Sequence, residues 1–156
     1  MKNAVLSLIA LFSLSIANLQ AQAQDPALAV TQEAIHNFFA FDMRAYADAF
    51  TAEGILVNPY GMIMTGPETI YQAHLPVVEG WKGLTAEAVV SRETVIHLTP
   101  DASLVNLEMT AFFRNPGGET VSEMPVVVSS TMIKQDGQWR ISSFQVTPIT
   151  GPPSQG

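Results

Sequence analysis

The chain has 156 residues, no cysteine, and 14 acidic against 7 basic side chains, a formal charge of −7. The missing cysteines exclude disulfides, thiolate metal ligands and cysteine nucleophiles together. The acidic balance argues against a nucleic-acid backbone or an anionic membrane surface as partner.

Residues 1–23 read as an export leader. Lys2 supplies a positive start, and Ala4–Ile16 is apolar apart from interspersed serines. That run is too short to span a bilayer. Ala21-Gln22-Ala23 then offers a small-x-small cleavage site, with cut expected after Ala23. The expected location is therefore secreted or periplasmic, with no membrane contact in the mature form. Losing Lys2 with the leader takes the charge from −7 to −8. The remaining length suits one domain, over residues 24–149, followed by a disordered tail over 150–156.

Asp25-Pro26 is a cap followed by proline, and Leu28, Thr31, Ile35, Phe38 and Phe39 recur near helical spacing, which predicts a helix from about Pro26 to Phe41. Asp42 can cap a shorter second helix, with Tyr46 and Phe50 four apart on one face and Gly54 ending it. Ile55-Leu56-Val57 and Met62-Ile63-Met64 flank Asn58-Pro59-Tyr60-Gly61, a hairpin turn. Pro67 then opens a third helix with Glu68 in its first turn, and Pro76 is expected to stop it at about Leu75. Trp81-Lys82-Gly83 reads as a linker.

From Leu84 the pattern becomes extended. Leu84–Arg92 and Thr94–Leu98 end at a turn around Pro100-Asp101. Ser103–Arg114 follows, with Val105, Leu107, Met109, Ala111 and Phe113 on one parity. Asn115-Pro116-Gly117-Gly118 is a turn, and Val126–Lys134 and Trp139–Thr147 are strands joined across Gln135-Asp136-Gly137-Gln138. Three helices followed by long antiparallel strands give an α+β layout, with one curved sheet wrapped around the helices.

This order resembles the nuclear-transport-factor-2-like cone fold, and within it the SnoaL-like and SgcJ/EcaC group of small bacterial proteins. The resemblance is carried by Phe50–Pro59 (FTAEGILVNP), by Gly66–Ile70 (GPETI) with His74, and by Asp136–Ile141 (DGQWRI). It implies three N-terminal helices packed in a strongly curved antiparallel sheet, a cone-shaped pocket, and commonly a homodimer through the sheet's outer face. It implies no single function, because such scaffolds host many.

In the ketosteroid-isomerase branch an aspartate base precedes the proline of the equivalent hairpin. The matching residue here is Asn58, whose carboxamide has no proton-accepting state near neutral pH. The positions matching that branch's tyrosine and carboxylic acid are Ala34 and the Ser129-Ser130-Thr131 run. That mechanism is therefore not expected.

Two residues remain as acid–base candidates, His74 near the end of the third helix and Glu108 in mid-strand. Glu108 reaches the pocket only if its parity faces the cone; the apolar alternation points the other parity inward. The ligand-binding set expected from the resemblance is Asn58, Tyr60, Tyr71, His74, Trp81 and Gln145, with Tyr46 and the methionines as further lining or core. No His-x-x-His or His-Glu-x-x-His spacing occurs, and neither metal nor cofactor is expected. Three readings follow. The chain is an exported binder of a small, largely apolar molecule; or a lyase, isomerase or cyclase using His74 and Glu108; or a dimeric interaction module.

Overall fold

The computed structural model describes residues 24–151; the expected leader and residues 152–156 of the expected tail lie outside them. Helix α1 (Pro26–Phe39) starts where Asp25 accepts hydrogen bonds from the backbone N–H groups of Ala27 and Leu28, at 2.9 and 3.1 Å. Helix α2 (Met43–Asp48) is capped in the same way by Asp42 on Ala45 N–H at 3.0 Å. Each aspartate satisfies donors that the first helical turn leaves without a partner.

Strand β1 (Phe50–Val57) and strand β2 (Ile63–Thr65) form the expected hairpin, closed by Gly61 N–H on the Asn58 carbonyl at 3.0 Å. Helix α3 (Pro67–Gly80) begins at Pro67 as expected but passes through Pro76. The carbonyl that loses its partner there is that of Gln72, on an exposed turn open to solvent. Gly54 does not terminate α2, which ends six residues earlier; it lies inside β1.

Strands β3 (Thr85–Thr99), β4 (Ala102–Arg114), β5 (Thr120–Gln135) and β6 (Gln138–Pro148) complete one six-stranded sheet in the order β2-β1-β6-β5-β4-β3. The two segments expected over 84–98 are one continuous strand, β3, with an irregularity between Val90 and Arg92. The sheet is mixed rather than wholly antiparallel, because β1 runs parallel to β6. The architecture is α+β, three helices against a curved, unclosed sheet.

Burial alternates strictly along β4: Ser103, Val105, Leu107, Met109, Ala111 and Phe113 face the helices, and the intervening residues face outward. The same side of the sheet carries Val126, Val128 and Met132 of β5 and Ile141 and Phe144 of β6. Fully buried Ser130 donates to the Met132 sulfur at 3.0 Å, as does Thr31 of α1 at 3.3 Å, so the polar groups under α1 are partnered. Among the described residues no helix is long and apolar enough to cross a membrane.

Candidate functional site: an apolar cavity with three polar groups

Between the helices and the inner face of the sheet lies a cavity of about 80 Å³. Its deep walls are buried: Ile35 of α1, Leu56 of β1, Met109 and Ala111 of β4, Val126 and Val128 of β5, and Phe144 of β6. Half-buried Phe38, Phe39, Asn58, Pro59, Met124 and Val146 form its rim. Three polar side chains reach it, His74, Tyr46 and Asn58.

His74 is 7% exposed, and its Nδ1 lies 2.6 Å from the Ile70 carbonyl one turn back along α3. A carbonyl only accepts, so Nδ1 carries a hydrogen, and the tautomer protonated there presents Nε2 as an acceptor. Tyr46 is 3% exposed, with its ring 5.6 Å from that of His74 at 84°. Burial pushes its phenol well above the usual tyrosine range, so it remains a hydrogen-bond donor. Phe38 packs edge-on against both rings, at 5.3 and 5.7 Å. Among the described residues no hydrogen bond engages the Tyr46 hydroxyl or His74 Nε2, and neither is sealed away without a partner. Both atoms therefore keep accessible surface, and both residues line the cavity.

Asn58 is partly spoken for. Its Oδ1 accepts from Tyr60 N–H at 3.0 Å and Met62 N–H at 2.9 Å, holding the hairpin turn, which leaves only the amide NH₂ for the cavity rim.

Other expected site residues lie elsewhere. Glu108 is on the outer face of the sheet, paired with Arg92 at 3.3 Å, so it cannot work with His74 across the cavity. Gln145 also faces outward, opposite Ser129. It shares a parity with Trp139 in the sequence, but an extra residue in β6, Ser142, opposite the Thr131–Met132 step of β5 shifts the register, so Ile141 and Phe144 both face inward. Tyr60 is 89% exposed at the hairpin tip. Tyr71 lies beneath the Arg44 guanidinium, 3.8 Å from its centroid, outside the cavity. Trp81 caps α3 and packs on Phe113 at 4.6 Å and Phe38 at 5.7 Å, behind the cavity wall. Tyr46 is the residue that the ligand-binding set omits. Its signal was the α2 periodicity that places Tyr46 and Phe50 on one inward face.

Among the described residues no three His, Asp or Glu side chains gather as a metal site would require. What the arrangement can do is solvate one polar group. It presents an acceptor on His74, a donor on Tyr46 and apolar walls around them.

Fold and site together define a small α+β cone around an apolar cavity with a His–Tyr pair. No family model matches the sequence, and no curated protein matches it either. Solved structures do. Aln2 from a Streptomyces species superposes with a TM-score of 0.72 at 18% identity, covering 79% of this chain and 88% of that one. A ketosteroid isomerase-like protein from Erwinia carotovora atroseptica gives 0.65 at 16%, covering 81% and 95%. A protein from Catenulispora acidiphila in complex with S-DNPA gives 0.64 at 16%, covering 79% and 90%. The chain has the nuclear-transport-factor-2-like fold.

Proposed function

We propose that this protein is an exported binder of a small, largely apolar molecule carrying one hydroxyl or carbonyl oxygen, without the aspartate base of the ketosteroid isomerases. The observation that carries the reading is the pair of buried residues His74 and Tyr46 on an otherwise apolar cavity, with His74 Nε2 and the Tyr46 hydroxyl accessible and outside any hydrogen bond of the described residues. A hydrogen bond formed inside an apolar cavity contributes about 0.5–1.5 kcal/mol, and a ligand hydroxyl could make one with each group. It would donate to His74 and accept from Tyr46. The cavity of about 80 Å³ is about half the volume of an engineered apolar cavity of about 150 Å³ that binds benzene, so a ring seated in it would extend into its mouth. The S-DNPA complex of a structural neighbour, a protein of the same fold with a compound bound, supports a ligand-holding role. Export rests on the leader pattern of residues 1–23.

Titration calorimetry with phenol and toluene tests the reading. The wild type is expected to bind both, with phenol tighter. His74→Leu should weaken phenol about tenfold, the loss of one hydrogen bond, and leave toluene within about twofold. If neither compound binds, the cavity is not a ligand site.

A second reading uses the same pair for proton transfer. His74 Nε2 would take a proton from the carbon next to a carbonyl while Tyr46 donates to its oxygen; their edge-on contact at 5.6 Å favours this over any set that includes Glu108. Deuterium loss from labelled cyclohexanone in the wild type, absent in His74→Leu, would support it. Equal rates in both proteins would end it.

We also propose a homodimer through the outer face of β4 and β5. Leu104, Phe112, Val127 and Ile133 are half-buried there, and the polar residues between them are already paired, Asn106 with Ser129 at 2.7 Å and Glu108 with Arg92. Sedimentation equilibrium should give twice the chain mass, and Val127→Glu a single mass. A wild type that is monomeric at every concentration would refute the dimer.

A further inference from the structure

A second concavity lies outside the first, a groove of about 430 Å³ between α1 and the edge strand β3. Its floor is Ala86 and Ala88, and its rim carries Gln32, His36 and Glu87. The inward-facing residues of β3 at this height are alanines, opposite Phe113 and Ala111 on β4, and their short side chains leave the space beside α1 open. Two residues belong to both concavities, Ile35 and Phe39. Ile35 is buried and belongs to the core. Phe39 is half-buried, in the last turn of α1, between Phe38 at 5.2 Å and Phe113 at 6.2 Å.

The backbone at this point is committed. The chain leaves α1 through Ala40 and then Phe41, which holds φ 62, a left-handed conformation uncommon for a bulky residue. Phe41 closes the helix there, with its N–H on the Phe38 carbonyl at 3.1 Å and Asp42 N–H on the Asn37 carbonyl at 2.9 Å, and its ring lies 5.9 Å from Trp81. The partition between cavity and groove thus consists of two side chains of α1, Ile35 fixed in the core and half-buried Phe39 at the helix end. A rotamer change at Phe39 costs far less than moving the helix, and the alanine floor leaves room for the ring.

The inner cavity alone is smaller than the roughly 300–1,000 Å³ that ligand sites commonly occupy, whereas the groove falls within that range. Their polarities also differ. The cavity is apolar apart from His74, Tyr46 and Asn58, while the groove is rimmed by imidazole, amide and carboxylate.

We propose that cavity and groove are two halves of one ligand site divided by Phe39, which admits a molecule with a hydroxyl-bearing ring and an extended substituent. The ring occupies the cavity, with its hydroxyl on His74 and Tyr46. The substituent passes Phe39 and lies over Ala86 and Ala88, ending near His36. Phe39 therefore sets how long a ligand the protein accepts. This rests on the cavity being a ligand site, as argued above, and adds the groove, the gate and the ligand's shape.

The test compares phenol with 4-hexylphenol by titration calorimetry on the wild type, Phe39→Ala, the milder Phe39→Leu, and Phe39→Ala combined with Ala88→Leu. The affinity ratio of hexylphenol to phenol should rise at least tenfold in Phe39→Ala and severalfold in Phe39→Leu. Filling the groove with Ala88→Leu should return the ratio to the wild-type value. Phenol binding with the same ratio in all four proteins overturns the proposal while leaving the cavity reading intact. So does a raised ratio that survives Ala88→Leu, because the chain would then leave by the Asn58–Met124 rim. No binding of phenol to any of the four overturns the cavity reading, and this inference with it. Should Phe39→Ala not fold, the ratio in Phe39→Leu decides alone.

Discussion

Gly54→Ala is expected to lower stability by about 3 kcal/mol and the melting temperature by about 10 °C, as measured by thermal and urea denaturation. A methyl group at Gly54 would stand 2.9 Å from the Ile141 carbonyl oxygen and 3.0 Å from both Phe50 Cβ and the Thr51 carbonyl oxygen. Two of these neighbours are backbone and cannot turn aside. The crowding has a topological cause. β1 pairs in parallel with β6 at Phe50 and again from Ile55 onward, and the register jumps between them. Gly54 sits in that jump, where the strand bends inward against β6. Its carbonyl also accepts from Gly66 N–H at 2.8 Å, the residue that starts α3 with φ 81. Displacing Gly54 therefore disturbs the sheet and the start of α3, the helix that carries His74. A variant that melts within 2 °C of the wild type, roughly the effect of half a kcal/mol, would show that the β1–β6 junction is looser than the structure describes.

Tyr46→Phe is expected to change two readouts in opposite directions. Burial disfavours tyrosinate in the folded protein, whereas in the unfolded chain tyrosine ionises near pH 10. Above that pH the unfolded state has released a proton that the folded state keeps. Stability from this group is therefore complete below about pH 10 and falls as the pH rises, by up to about 1.4 kcal/mol per unit. The variant should lose that part of the alkaline slope in urea titrations between pH 9 and 11, yet stay within about 1 kcal/mol of the wild type at neutral pH, because the hydroxyl has no protein partner to lose. Phenol binding should weaken several-fold at the same time. An unchanged alkaline slope would mean that Tyr46 reaches solvent, and unchanged phenol affinity would mean that the ligand does not meet it.

Local rules carried much of this architecture. The aspartate caps, Pro67 at the start of α3, the Asn58–Gly61 turn and the inward parity of β4 depend on interactions within a few residues of each other, so they are legible in one dimension. The extent of α3 was not, because an exposed proline can be tolerated when the carbonyl it orphans is solvated. The site was harder to read for a related reason. Gln145 would face inward if β6 kept one register, but it does not, and that shift depends on how β5 lies beside it. Tyr60, Tyr71 and Trp81 have the chemistry of pocket residues, yet each sits at an element end whose direction is set by neighbours: a hairpin tip, the Arg44 contact and an aromatic cluster.

By itself, the sequence determined the fold class, most element boundaries, the exclusion of cysteine chemistry and an asparagine, not a carboxylate, at hairpin position 58. Each follows from residue identity or short-range pattern. Tertiary structure alone decided that His74 and Tyr46 share a cavity, that Glu108 faces away from it, and that two alanines on an edge strand line a groove sharing Ile35 and Phe39 with that cavity. These are long-range facts, set by which strand lies beside which and in what register, and a one-residue slip in either would have turned every side chain to the opposite face.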